Sequence, residues 1–144
     1  MRVRYIMSVV KGKRKENDLQ VIKELRELAS HTIKCCGNES VFPKSKRWLY
    51  TQRITNEAID ALSCAVRANS IRVSEGDENN TYRYRYMQQV EANAHLESLE
   101  VLLSLAYEIL PIEGKRVEYW VGLIVSARTK LQAWIRADRK RYKK

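Results

Sequence analysis

Apolar residues recur at three- and four-residue steps through most of this chain, the spacing that gathers them on one face of a helix. Over residues 18–36, Leu19, Ile22, Leu25, Leu28, Ala29, Ile33 and Cys36 form a first stripe. Asn17 stands before it as an N-cap, able to accept a first-turn amide, and Gly37-Asn38 supplies a stop. A second stripe over residues 45–72 contains Trp48, Leu49, Ala58, Ile59, Leu62, Ala65 and Val66, with Gln52 and Thr55 as softer members. Phe42-Pro43 lays an apolar anchor ahead of it, because proline holds the residue before it extended. After a polar loop at residues 74–80, a third helix runs to Pro111. Its Leu96, Leu99, Leu103, Ala106 and Leu110 are spaced like the seam of a coiled-coil-like bundle helix. The fourth spans residues 114–138 or a little beyond, with Val117, Trp120, Val121, Ile124, Ala127, Leu131, Trp134 and Ile135 on one face.

Helices of about 20–28 residues are roughly 30–42 Å long, and the connections are short enough for antiparallel neighbours. One such helix is marginal in water, whereas four can bury one another's stripes. The expected fold is all-α, an antiparallel up-down-up-down four-helix bundle. There is no internal repeat and no low-complexity tract.

Composition narrows this further. The 144 residues suit a single domain, and 44% hydrophobic residues suffice for its core. Five glycines and two prolines are too few to punctuate a many-stranded sandwich or barrel. No apolar run approaches the ~20 residues of a membrane span. The N-terminus lacks the apolar stretch and cleavage site of a secretory signal, and Met7 is an alternative start. Three cysteines, two of them adjacent at Cys35 and Cys36, make a poor disulfide framework, so reduced thiols in the cytoplasm are expected.

Charge changes the picture most. The net charge is +10, from 27 Lys and Arg against 17 Asp and Glu. It is gathered in three places. Residues 1–15 carry Arg2, Arg4, Lys11, Lys13, Arg14 and Lys15 with no acid. Residues 128–144 carry Arg128, Lys130, Arg136, Arg139, Lys140, Arg141, Lys143 and Lys144 against Asp138 alone. Lys44, Lys46, Arg47 and Arg53 open the second helix. The chain therefore divides into a basic N-terminal arm (1–15), a nearly balanced bundle (16–138) and a basic tail (139–144). Blocks of like charge are often interaction tails, and a polyanion is the natural partner.

A search for catalytic chemistry returns little. His31 and Cys35, and Glu91 and His95, are pairs four apart that lack further ligands, and no C-x-x-C or H-E-x-x-H occurs. Glu97 and Glu100 lack the Glu-x-x-His partners of a di-iron bundle. The KGK at residues 11–13 has neither the earlier glycine nor the following Ser or Thr of a phosphate-binding loop. No enzyme, metal or cofactor is expected.

The basic and aromatic residues say more. Tyr82-Arg83-Tyr84-Arg85-Tyr86 alternates rings with guanidinium groups. If extended, it sets rings and charges on opposite sides; if helical, Tyr82 and Tyr86 align with Arg85 beside them. Either form could stack unpaired bases, or the two rings could simply prolong the apolar stripe of the third helix. At the other end, Trp134 and Ile135 can anchor a rod carrying Arg136, Arg139, Lys140 and Arg141 to phosphates without regard to base sequence.

The segment Gly37-Asn38-Glu39-Ser40-Val41-Phe42-Pro43-Lys44, leading into Arg47-Trp48, resembles the first-loop motif of small bacterial four-helix-bundle proteins. That group includes proteins encoded in intervening sequences of large-subunit ribosomal RNA genes and the accessory variability determinant (Avd) proteins of diversity-generating retroelements. Two C-terminal features are similar to the Avd branch: Glu118-Tyr119-Trp120, and Ala133-Trp134-Ile135-Arg136 ahead of Asp138-Arg139-Lys140-Arg141. The likeness covers roughly residues 11–142. It implies a homopentamer of bundles with a basic surface for RNA or DNA and a reverse transcriptase as partner in mutagenic cDNA synthesis, with no catalytic site of its own. Carried over residue by residue, it points to Arg136, Arg139, Lys140 and Arg141 and, at the loop, to Lys44, Lys46 and Arg47. Residues 1–15 depart from the compact family pattern. Two other expectations compete with this one: a protein–protein adaptor whose basic ends dock an acidic partner, and a bundle protein associated with ribosomal RNA intervening sequences.

Overall fold

The structure is a computed structural model that describes residues 16–143, with side chains described for all of these except 16–19 and 46–48. Among the described residues are four α-helices and no strand: α1 Glu16–Cys36, α2 Arg47–Ser70, α3 Glu78–Ile109 and α4 Gly114–Tyr142, with a 3-10 turn Lys44–Lys46 ahead of α2. The charged arm at residues 1–15 lies outside the described residues, as does Lys144.

The helices form a four-helix bundle in which α1 packs on α2 and α4, and α3 packs on the same two. Between α2 and α3, the Ile71 carbonyl accepts from Arg85 (3.2 Å), Glu91 accepts from the Cys64 thiol (3.8 Å) and Glu57 meets His95 (2.7 Å). Between α3 and α4, Asp138 meets Arg85 (2.6 Å) while Arg128 meets Glu100 (2.7 Å). On α1, Thr32 accepts from Trp120 (3.0 Å), and Glu24 accepts from Ser126 (2.6 Å) and pairs with Lys130 (3.1 Å).

The seams of α3 and α4 follow the expected positions. Leu96, Leu99, Leu103 and Ala106 are buried on α3 and Leu110 just past its end; Val117, Trp120, Ile124, Ala127, Leu131 and Trp134 are buried on α4, with the expected Val121 and Ile135 only half-buried. Each fully buried leucine contributes roughly 1.5–3 kcal/mol relative to an exposed one. The first loop closes the bundle as the sequence suggests: Phe42 is fully buried with its ring 6.2 Å from Trp120, edge to face.

Several expectations are corrected. Asn17 is already helical in the described part of α1, so it is not the N-cap. Ile33 is 50% exposed, and the core position beside it belongs to Thr32. The Thr32 hydroxyl donates to the Leu28 carbonyl (2.7 Å) and accepts from Trp120, which makes its burial inexpensive.

The second stripe is rotated. α2 buries Thr51, Ile54, Ala58, Ala61, Cys64, Ala65 and Ala68, while Leu49, Gln52, Ile59 and Val66 are exposed and Thr55 and Leu62 are half-buried. Positions 51, 54, 58, 61, 65 and 68 repeat at three and four, the same seam spacing as α3. Four of these six positions are alanine, small enough to let the two helices approach closely. α2 also ends at Ser70 rather than at residue 72. α3 begins at Glu78, inside the expected polar loop, just beyond a turn at Gly76 (φ +90°).

Candidate nucleic-acid interface

Charged residues on α4 are positioned by what lies beneath them. Asp138 occupies the next seam position after Trp134 and is only 1% exposed. Its carboxylate accepts from Arg85 Nε (2.6 Å) and Nη2 (3.3 Å) and from Gln89 Nε2 (2.8 Å). Arg85 and Gln89 hold the matching seam positions on α3 and are likewise buried. The Arg85 guanidinium also lies over Trp134, 5.2 Å from its ring centre. A polar layer therefore closes the apolar core at this end, with paired charge and hydrogen bonds offsetting desolvation.

With Asp138 turned inward, its neighbours turn outward. Arg136, Arg139, Lys140, Arg141 and Lys143 are all exposed. α4 continues unbroken through them to Tyr142, and Arg139, Lys140 and Arg141 sit in its last turn, where cations complement the helix dipole. Arg139 Nη2 lies 3.4 Å from the Tyr86 hydroxyl, and Arg141 Nη1 lies 3.9 Å from the Asp138 carboxylate. Burial pushes the Tyr82 phenol pKa up, with Arg139 opposing, so the ring presents a neutral hydroxyl at neutral pH.

The basic group at the start of α2 lies elsewhere. Lys44 is exposed and follows Phe42, which touches Trp120; Lys46 and Arg47 belong to the adjoining turn and helix start, their side chains undescribed. Trp120 and Arg136 are sixteen positions apart on one helix, about 24 Å at 1.5 Å per residue. The fold thus separates Lys44 from the α4 cations. Lys11, Lys13, Arg14, Lys15 and Lys144 lie outside the described residues.

The ligand-spaced pairs are drawn to other partners. His31 Nε2 and Cys35 Sγ are 3.3 Å apart, and edge contacts from Tyr119 and Trp120 flank the imidazole. Burial, then Arg116 and Lys34, lowers the His31 pKa. Burial pushes the Cys36 thiol up to about 11, which makes it a poor nucleophile. Glu91 and His95 face Cys64 and Glu57 respectively. Among the described residues, no group of three or more His, Cys, Asp or Glu converges as a metal site. No described helix is long and apolar enough to cross a membrane.

Sequence reasoning did not find Arg85, Gln89 and Asp138 as a unit. The signal was present: positions 85, 89, 92, 96, 99, 103 and 106 keep the seam spacing, with polar residues at its first two places. The middle of the bundle carries the opposite charge. Grooves on either side of the exposed Val101 are lined by Glu57, Asp60, Glu97, Glu100 and Glu108, against Arg53 and Arg128, the latter paired with Glu100. Compared with models of known protein families, with curated proteins and with solved structures, the chain matches none.

Proposed function

We propose that this protein is a non-enzymatic, nucleic-acid-binding accessory subunit of a retroelement reverse transcriptase. In this reading it works in the cytoplasm as a homopentamer of antiparallel up-down-up-down bundles and supports mutagenic cDNA synthesis. One observation carries the nucleic-acid part: Arg136, Arg139, Lys140, Arg141 and Lys143 are exposed together at the end of a helix whose inward Asp138 is held in a buried ion pair. Cations fixed on a rigid element meet phosphates without the ordering cost that a loose tail incurs. Asp60 and Glu97 on the middle of the bundle disfavour phosphate there and favour the end. The polymerase and the pentamer rest on the likeness of the first loop and the Trp-Ile-basic ending to Avd proteins.

A mixed-sequence RNA–DNA hybrid titrated across a salt series tests the phosphate contacts. Affinity should fall steeply with salt, and replacing Arg136, Arg139, Lys140 and Arg141 together with Gln should flatten the log–log slope by up to about 0.9 per lost contact. Helicity and oligomer size should be unchanged. An affinity that ignores salt, or a variant that binds as well as the wild type, would refute it. A reverse transcriptase gene and template repeat beside the coding sequence would separate the retroelement branch from the ribosomal RNA one.

A further inference from the structure

The alternating run at residues 82–86 is helical, so Tyr82 and Tyr86 stand one turn apart on α3 with ring centroids 6.0 Å apart, inclined at 34°. Tyr142, in the last turn of α4, brings its ring 5.8 Å from Tyr82 at 43°. Two helices thereby assemble three rings into one cluster. Guanidinium groups border it, with Arg139 5.9 Å from the Tyr86 ring centre and Arg141 5.5 Å from that of Tyr142.

This cluster rests on the buried polar layer, with the Arg85 guanidinium 5.9 Å from the Tyr142 ring centre, rather than on the apolar core. The half-buried side chains packed on the apolar core include Tyr50, Leu102 and Ile135, but not Tyr82, Tyr86 or Tyr142. The buried layer of Arg85, Gln89 and Asp138 occupies the seam at this level of the bundle. Prolonging the apolar stripe of α3 therefore does not account for the rings. Beside Tyr142 and Arg141 opens a groove of about 450 Å³, also lined by Val73, Glu75, Glu78 and Asn79.

We propose that the Tyr82–Tyr86–Tyr142 cluster is a stacking site for unpaired nucleobases, which makes single-stranded nucleic acid the preferred ligand of this end of the bundle. The proposal rests on the phosphate-binding reading of α4 and adds to it the bases. Tyrosine rings and guanidinium planes both offer flat faces to a base, and Arg139 and Arg141 set cations where the flanking phosphates run. The groove discriminates in the same direction. Its carboxylates repel phosphate, yet they accept hydrogen bonds from N–H donors on a base edge, the thymine N3–H among them. A duplex has its bases stacked on one another and presents no face to the cluster.

Fluorescence anisotropy with the full-length protein can compare an oligothymidylate, an abasic strand of the same length and a blunt duplex at one moderate salt concentration. The oligothymidylate should bind at least about fivefold more tightly than the abasic strand, the gain expected from even one stacked base. Replacing Tyr82, Tyr86 and Tyr142 together with Leu should abolish the preference, so that the variant binds the oligothymidylate no more tightly than it binds the abasic strand. The matching Phe variant, which keeps the faces and loses the hydroxyls, should retain the preference. Equal affinity of the wild type for the oligothymidylate and the abasic strand would overturn the proposal while leaving the phosphate reading intact, and it needs no variant to fold. A Leu variant that keeps the preference would also overturn it. Failure to bind any of the three strands would overturn the phosphate reading and this one with it.

Discussion

Asp138→Ala should destabilise the fold by about 3 kcal/mol. The carboxylate is 1% exposed and neutralises a guanidinium that is itself only 7% exposed, at 2.6 Å. Removing one member of a buried pair typically costs about 3–5 kcal/mol, because the other charge stays desolvated. Arg85 still reaches the Ile71 carbonyl at 3.2 Å and lies over the Trp134 ring, which puts the loss toward the lower end. Gln89 loses an acceptor at 2.8 Å as well. Urea unfolding followed by far-ultraviolet circular dichroism reads the change as a lower midpoint at constant slope. For a chain of this size it corresponds to a fall in Tm of about 10–15 °C. The double replacement Arg85→Met with Asp138→Leu should recover most of the loss, since an apolar pair removes both desolvation costs together. A shift below about 0.5 kcal/mol for Asp138→Ala, the range of ordinary surface substitutions, would refute the buried pair. A double variant as unstable as the single would refute its physical account.

Two further outcomes follow from the same packing. Leu103→Asp places an unpaired carboxylate at a fully buried seam position and should cost at least about 4 kcal/mol, leaving no cooperative unfolding transition by circular dichroism. A folded, correctly assembled Leu103→Asp protein would overturn the core assignment. Stability should also decline as pH falls below about 6.5, because the depressed pKa of His31 keeps it neutral in the fold while the unfolded chain takes up the proton. The contribution is fully present above the unfolded pKa and is lost as pH drops toward the folded one. His31→Gln should flatten urea midpoints measured between pH 7.5 and 5, and an unchanged slope would assign the decline to other groups.

Much of this architecture was legible along the chain. The seams of α3 and α4 are built from large apolar residues at near-ideal spacing, and a helical period survives any arrangement of neighbours. α2 was misread because size outweighed position. Ile59 and Val66 look like core residues, yet they are exposed; Ala58 and Ala65 hold the seam as expected, and the small Ala61 and Ala68 join them. Thr32 escaped notice for a related reason: a hydroxyl becomes a core residue only once Leu28 and Trp120 satisfy it.

By itself, then, the sequence determined an all-helical chain, the faces of its longest helices and the clusters of positive charge, because these depend on residue identity and near-neighbour geometry. The tertiary structure alone decided that Lys44 and Arg136 lie far apart, that Asp138 turns inward to Arg85 across 53 positions, and that Tyr142 joins Tyr82 and Tyr86. Those outcomes depend on which helices become neighbours and at what register, which is set by packing volume and by the desolvation of charges distant in the chain.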